Sequence, residues 1–485
     1  MLKNYLYTAS YQLMVLFTPF ITIPYLSRVL GAKQLGIYSY VSTSAAMITT
    51  FCLLGLYSYG NRQIAYVRDQ KESCNQTFWE ILLLRLLLAS VGCLVYGLYA
   101  WVNPAYRFYF LVYFPYLLAE FLDTSWFFVG LEQMKPAAVK NALTKLLGIL
   151  GIFIFVKDMN DLWKYLLLLA LATLMANLSL YPQLKIYLKA PRVDLSKIFL
   201  HLKASSKLFL PQVAALLYFQ IDKVMLQWFT GNTVELAYYD QATKIVMIPL
   251  TLVTLISSVS MPRIANEYQK KNQQVVIKLC QQTFKAILLL AIPMSLGLMC
   301  IAKQFIPWYL GSHYLPVCSI LYILAPVLFL QSLTSLSGNQ YFVATNQLKP
   351  IFLSYSLAAG LNIVLNLFLI PLYQAKGAAM ATLLAAVILV VLQYSVLLKQ
   401  VPLFTCLKAA LGYGILALLV IGVTYWLTKD EAMQFFTTFK QILLATTSYV
   451  FSLILFKDAL SQLAIQRIKQ RLTKKIEVSN HAGKF

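Results

Sequence analysis

Apolar stretches of roughly 18 residues or more recur along the whole chain, at a length and frequency that no soluble core needs. The first runs from Leu6 to Leu30. At about 1.5 Å per residue such a stretch crosses the ~30 Å hydrocarbon layer of a bilayer. It is too long for the core of a signal peptide and lacks a small-residue cleavage site, so it reads as an uncleaved span. Charge agrees: only 12% of the 485 residues are charged, against about 25% in an ordinary soluble domain. The sequence therefore describes an all-α, polytopic membrane protein.

Spans fall near 6–30, 38–60, 78–102, 105–130, 136–156, 162–184, 206–229, 236–262, 280–302, 314–337, 351–373, 377–398, 405–427 and 434–456, about 14 in all. With the N-terminus inside, the inner loops and tails hold about 27 of the 40 Lys and Arg residues, and the outer loops about 8. That asymmetry predicts a cytoplasmic-membrane protein with both termini cytoplasmic. The net charge of +23 sits in these loops, which argues for an anionic inner leaflet as neighbour and against nucleic acid. The tail from Lys457 interleaves Leu460, Leu463, Ile468, Leu472 and Ile476 with basic residues, as a helix lying on that leaflet would.

No cofactor or metal is expected. The seven cysteines are scattered without a CxxC pair, the three histidines form no HExxH, and "GAKQLGI" has Ile37 where a phosphate-binding loop needs Lys. The outer loops carry no convergent catalytic group, so an enzyme is not expected.

The chain resembles itself. "GAKQLGIYSY" (31–40) parallels "GNTVELAYYD" (231–240), "NRQIA" (61–65) parallels "PRIAN" (262–266), and "EQMKPAAVKNAL" (132–143) parallels "NQLKPIFLSYSL" (346–357). The order is kept at an offset of about 200–214 residues. Six spans separate the copies, so the halves share one orientation, as parallel repeats of a transporter do. The expected organisation is an N-lobe over 1–195 (spans 1–6), a C-lobe over 196–403 (spans 7–12), spans 13–14 over 404–456, and a basic cytoplasmic tail over 457–485.

Six motifs point further: "IPYLSRVLGAKQLGIYSY", "SWFFVGLEQMKP", "YFQIDKVML", "AYYDQATKIV", "MPRIANEY" and "LNIVLNLFLIPLYQAKGAAMAT". In this order they resemble the Wzx-type oligosaccharide flippases, the polysaccharide transporter family of the multidrug/oligosaccharidyl-lipid/polysaccharide (MOP) exporter superfamily. The resemblance implies two six-helix bundles forming a V around a hydrated cavity. It implies an undecaprenyl-diphosphate-linked oligosaccharide as substrate, turned from the inner to the outer leaflet. Membrane lipids and polysaccharide polymerase or assembly proteins are the implied partners, with H+ or Na+ as counter-ion. A multidrug exporter of the same superfamily is the alternative, though it has typically 12 spans.

Ionised groups inside spans are expensive and mark function. The substrate-binding candidates are Arg28, Arg85, Lys145, Lys223 and Lys244, since cations suit phosphate oxygens. The ion-coupling candidates are Asp222, Asp123 and Glu120. Asp240 and Lys244 stand in the favourable i, i+4 order for a pair. Arg28 lies near the outer end of its span and can snorkel. Asp123 has Lys145 on the next helix as an expected partner. Asp222 and Lys223 diverge by ~100° and cannot neutralise each other. They face a hydrated cavity or form a buried ion pair with another helix.

Overall fold

Helix ends in this chain are set by left-handed residues at sharply defined turns, and these divide the apolar sequence into its elements. A computed structural model describes residues 18–190 and 193–455, all of them helix or connecting turn. Residues 18–29 are helical, so the first expected span is described only in part; the basic tail lies outside the described residues.

Gly31 (φ 73°) opens α1 (Gly31–Leu53), and Leu54 with Gly55, both left-handed, bends the chain by 45° into α2 (Leu56–Val67). Then follow α3 (Lys71–Val102), α4 (Arg107–Phe121), the short α5 (Ser125–Gly130), α6 (Met134–Phe155) and α7 (Leu162–Leu178). Asp194 accepts from the Ser196 amide to cap α8 (Leu195–Thr230), which Gly231 (φ 60°) ends. That amide and the Ser196 hydroxyl hold the exposed Asp194 carboxyl below its usual pKa.

Two long helices come next, α9 (Thr233–Gln269) and α10 (Gln273–Tyr309). Helix α11 (Pro316–Thr334) then widens into a π-helical segment over Ser335–Phe342. The last elements are α12 (Leu348–Leu397), α13 (Leu407–Thr428) and α14 (Phe435–Leu455).

Among the described residues, ten helices are long and apolar enough to cross a bilayer, or eleven with the bent α1–α2 pair. The expected count of 14 is not reached, for identifiable reasons. Span 4 is broken at Leu122–Thr124 between α4 and α5. Spans 11 and 12 fall in the single 50-residue α12, which contains a non-helical Gln374. A straight helix of that length would run ~75 Å, more than twice the hydrocarbon thickness. It is not straight: a Cβ at Gly377 would lie 2.1 Å from the carbonyl oxygen of Leu369, eight residues back, so the chain reverses at Gln374.

The self-similarity seen in sequence recurs in the backbone. Gly31 and Gly231 take the same left-handed state at the start of their repeats. Glu132 (φ 59°) and Asn346 (φ 56°) do likewise, 214 residues apart. After each, the amide of the next residue reaches back five positions: Gln133 to Phe128 O and Gln347 to Phe342 O, both 2.8 Å. Helices α6 and α12 then start at matching residues, Met134 and Leu348.

The chain packs as two compact units. The first holds residues up to 248 together with 310–324 and 348–392. One hydrophobic core there sets Trp126, Phe127 and Phe128 of α5 against Phe78 and Leu82 of α3 and Leu56 and Tyr59 of α2, with Phe78 stacked on Trp126 at 5.4 Å. Leu94, Leu98 and Trp101 on α3 stay outward, as lipid-facing side chains do. The second unit holds 249–309, 325–347 and residues from 393 on, with α13 packed on α10 and α14.

Candidate functional site

The turn at Gly231 sets α8 and α9 side by side and brings three of the intramembrane charges together. Lys223 Nζ lies 2.7 Å from Asp240 Oδ1, and Lys244 Nζ lies 2.6 Å from Asp240 Oδ2. The Asp240–Lys244 pair is the i, i+4 pair expected from sequence. Lys223 joins it from the neighbouring helix, so one carboxylate serves two ammonium groups and the cluster carries an excess of one positive charge. Asp240 is buried, with its side chain 3% exposed, whereas Lys244 keeps 35%. The Lys244 ammonium also stands 5.5 Å from the ring centroid of Tyr38 on α1, a cation–π contact.

Asp222 points elsewhere, as its ~100° divergence from Lys223 requires. It is 1% exposed and has no basic partner among the described residues. Neutral groups hold it instead. Tyr239 Oη and Thr382 Oγ1 donate to Oδ2 at 2.7 and 2.9 Å, and Asn366 Nδ2 donates to Oδ1 at 2.5 Å. The same Asn366 amide reaches Asn362 Oδ1 at 3.0 Å, while Asn366 Oδ1 is buried without a hydrogen-bond partner. The Asp222 carboxyl thus meets two hydroxyls and one amide N–H, all hydrogen-bond donors. Groups of three or more acids, histidines or cysteines fit to hold a metal are absent among the described residues. Two of these partners, Asn366 and Thr382, stand on α12, 144 and 160 residues away. The signal available in sequence was Asn362 and Asn366, two amides one turn apart in an otherwise apolar run.

Arg85, Glu120 and Asp123 gather at the break in span 4, with one correction to the expected partner. Asp123 pairs with Lys140 (3.1 Å), not with Lys145. Five residues along α6 turn a side chain by ~140°, so the two lysines leave the helix on different faces. Asp123 also accepts from the amide and hydroxyl of Ser125 at 3.0 and 2.7 Å, which makes it the anchor of α5. Lys145 makes no ion pair among the described residues. Arg85 is 1% exposed, and its guanidinium donates to the carbonyls of Glu120 and Phe121, capping the end of α4; its Nη1 is left unpaired. Glu120 has Asp123, Arg85 and Lys140 as charged neighbours. Arg28 is exposed on the first helix.

Sequence reasoning passed over one more cluster. Glu80 is 2% exposed and holds His201 Nε2 at 3.0 Å, while Tyr59 lies 2.7 Å from His201 Nδ1. Asn75 and Trp79 hold the backbone of Lys189 and Ala190 beside it. This polar set ties the segment preceding α8 onto α3.

Residues 1–269 match the family described as polysaccharide biosynthesis protein. A protein of Escherichia coli (strain K12) named as an O-antigen transporter is 25% identical over 413 residues, spanning 83% of this chain and 98% of that protein. Among solved structures, the lipid II flippase MurJ in an inward closed conformation superposes with a TM-score of 0.77 at 18% identity, over 95% of this chain and 100% of that one. An inward-facing multidrug resistance transporter of the MATE family, in the MOP superfamily, reaches 0.54 at 15% identity, over 86% and 100%. Likenesses at such identities speak to the fold.

Proposed function

Because this chain belongs to the polysaccharide biosynthesis protein family, we propose that it carries a lipid-linked oligosaccharide repeat unit across the membrane. The unit is held on undecaprenyl diphosphate and passes from the inner to the outer leaflet of the cytoplasmic membrane, where surface polysaccharide is assembled. The relatives named as an O-antigen transporter and a lipid II flippase support the substrate class. The observation that carries the reading is the Lys223–Asp240–Lys244 cluster, with two cations on one buried carboxylate.

A diphosphate with sugars cannot enter hydrocarbon unaided, since its charges would lose hydration with nothing in exchange. The excess positive charge of the cluster answers that loss with charge-assisted hydrogen bonds. Lys244, the more exposed lysine, makes first contact; Lys223 stays with Asp240 and keeps the carboxylate neutralised. Access alternates between the two faces of the membrane, with both termini cytoplasmic and polymerase or assembly proteins receiving the product.

Transport against a gradient needs coupling, and Asp222 is the group placed for it. A sodium ion or a proton there neutralises a carboxylate that has no basic partner and is held by donors from Tyr239, Thr382 and Asn366, with Asn362 Oδ1 accepting from the same Asn366 amide. Asp123 is committed to Lys140 and Ser125, which leaves it a structural part.

The experiment is a gene deletion followed by location of the lipid-linked sugar. Repeat units accumulating on the inner leaflet, with surface polysaccharide falling, are the expected result. Unchanged surface polysaccharide with lost drug resistance would give the chain to the multidrug exporters instead.

A further inference from the structure

The repeat reaches two places where a spanning helix loses its regularity. The 214-residue shift that superposes the turns at Glu132 and Asn346 carries the α4–α5 break at Leu122–Thr124 onto residues 336–338, the middle of the π segment Ser335–Phe342. Proline explains neither irregularity, since Pro115 and Pro326 lie well upstream. The same register in both halves is therefore irregular, by a different geometry in each.

A tyrosine from the last span of each half reaches the backbone at or just before each break. Tyr181, from the sixth span, donates to Leu122 O at 3.1 Å. Tyr394, 213 residues on in the twelfth, donates to Leu333 O at 3.2 Å. Asp123 anchors the first break through Ser125, and Ser337, its equivalent, bonds Gln393 Oε1 at 2.6 Å. In hydrocarbon an uncovered carbonyl costs several kcal/mol, so these tyrosines make each break a stable conformation. Each break also contains buried polar atoms that have no hydrogen-bond partner among the described residues: Arg85 Nη1 and Thr124 Oγ1 at the first, Ser335 Oγ and Gln340 Oε1 at the second. Burying such atoms unmatched is unfavourable, and a second arrangement in which they find partners would account for them.

We propose that these breaks are a matched pair of pivots, one per half, at which the fourth and tenth spans bend as access alternates. The inference rests on the transport reading. A π turn carries one residue more than an α turn. Its conversion rotates the chain beyond it by ~100° and shifts it by ~1.5 Å, which would bring Gln340 and Ser335 to new neighbours. In the first half, α5 swings on the Asp123 anchor.

The test places spin labels on cysteines at Leu315 and Val343, flanking the π segment, in an otherwise cysteine-free full-length chain in lipid. Two distance populations are expected, their ratio shifting when sodium or pH is changed. Deleting Asn339, the exposed residue of the segment, removes the extra residue. It should collapse the distances to one population and lower surface polymer at least tenfold at normal membrane abundance, while Asn339→Ala changes neither. A single, unmoving distance in the parent chain would overturn the pivot, as would normal export from the deletion variant. Should that variant be lost from the membrane, Tyr394→Phe and Tyr181→Phe replace it; each should alter the bending equilibrium at its own break, and an unaltered one in both overturns the proposal. Failure of the parent chain to restore polymer to a deletion strain is a separate result. It sinks the transport reading and leaves the bending measured by the labels to stand.

Discussion

Lys223 and Lys244 share Asp240, so the order in which these residues are removed matters. Lys223→Ala leaves the carboxylate paired with Lys244, and membrane abundance should stay near normal while export falls several-fold. Removing both lysines strands a buried Asp240, which costs about 3–5 kcal/mol; that variant should be lost from the membrane, as an immunoblot of membrane fractions will show. For Asp222→Asn we expect normal abundance and loss of the dependence of export on sodium or on pH, measured in vesicles with imposed gradients. The sequence made Asp240–Lys244 legible because helical spacing is local. It left the neutral cage around Asp222 unread, because Tyr239, Asn366 and Thr382 meet it only through tertiary packing. The Asp123 partner was misplaced by five residues for a similar reason: which face of α6 meets the break depends on where α4 stops.

Among the elements, two glycines set how closely helices approach. A Cβ at Gly36 would lie 1.7 Å from the carbonyl oxygen of Thr233, so α1 meets the start of α9 backbone to backbone. Gly36→Ala cannot keep that contact. Maleimide labelling of a cysteine at Thr233, a buried position in the parent chain, should rise severalfold in the variant. Gly377→Val puts a branched side chain against Leu369 O in the α12 reversal and should destabilise the chain by about 3 kcal/mol or more, read as a lower unfolding temperature in detergent. Most long apolar helices of the described residues were legible, because apolar length is a one-dimensional signal. The reversal at Gln374 fell between two expected spans, 351–373 and 377–398. The break within span 4 was not foreseen, because Leu122–Thr124 contains neither Gly nor Pro.

For the molecule as a whole, self-similarity carried the most information. Three short matches predicted duplicated halves, and at two of them the backbone repeats a left-handed turn, down to the five-residue reach of Gln133 and Gln347. Such matching suits a machine that exposes one site to either face in turn. The site itself is chosen by charge, since a shared scaffold selects no cargo. The most direct measurement uses the purified chain in vesicles loaded with a fluorescent polyprenyl-diphosphate oligosaccharide and, in parallel, the same glycan on an uncharged polyprenyl ether. Delivery to the opposite leaflet is read with a membrane-impermeant glycosidase. The diphosphate lipid should cross, the uncharged one should lag at least tenfold, and Lys223→Ala should erase the difference; equal transport of both lipids would contradict recognition through the lysine pair.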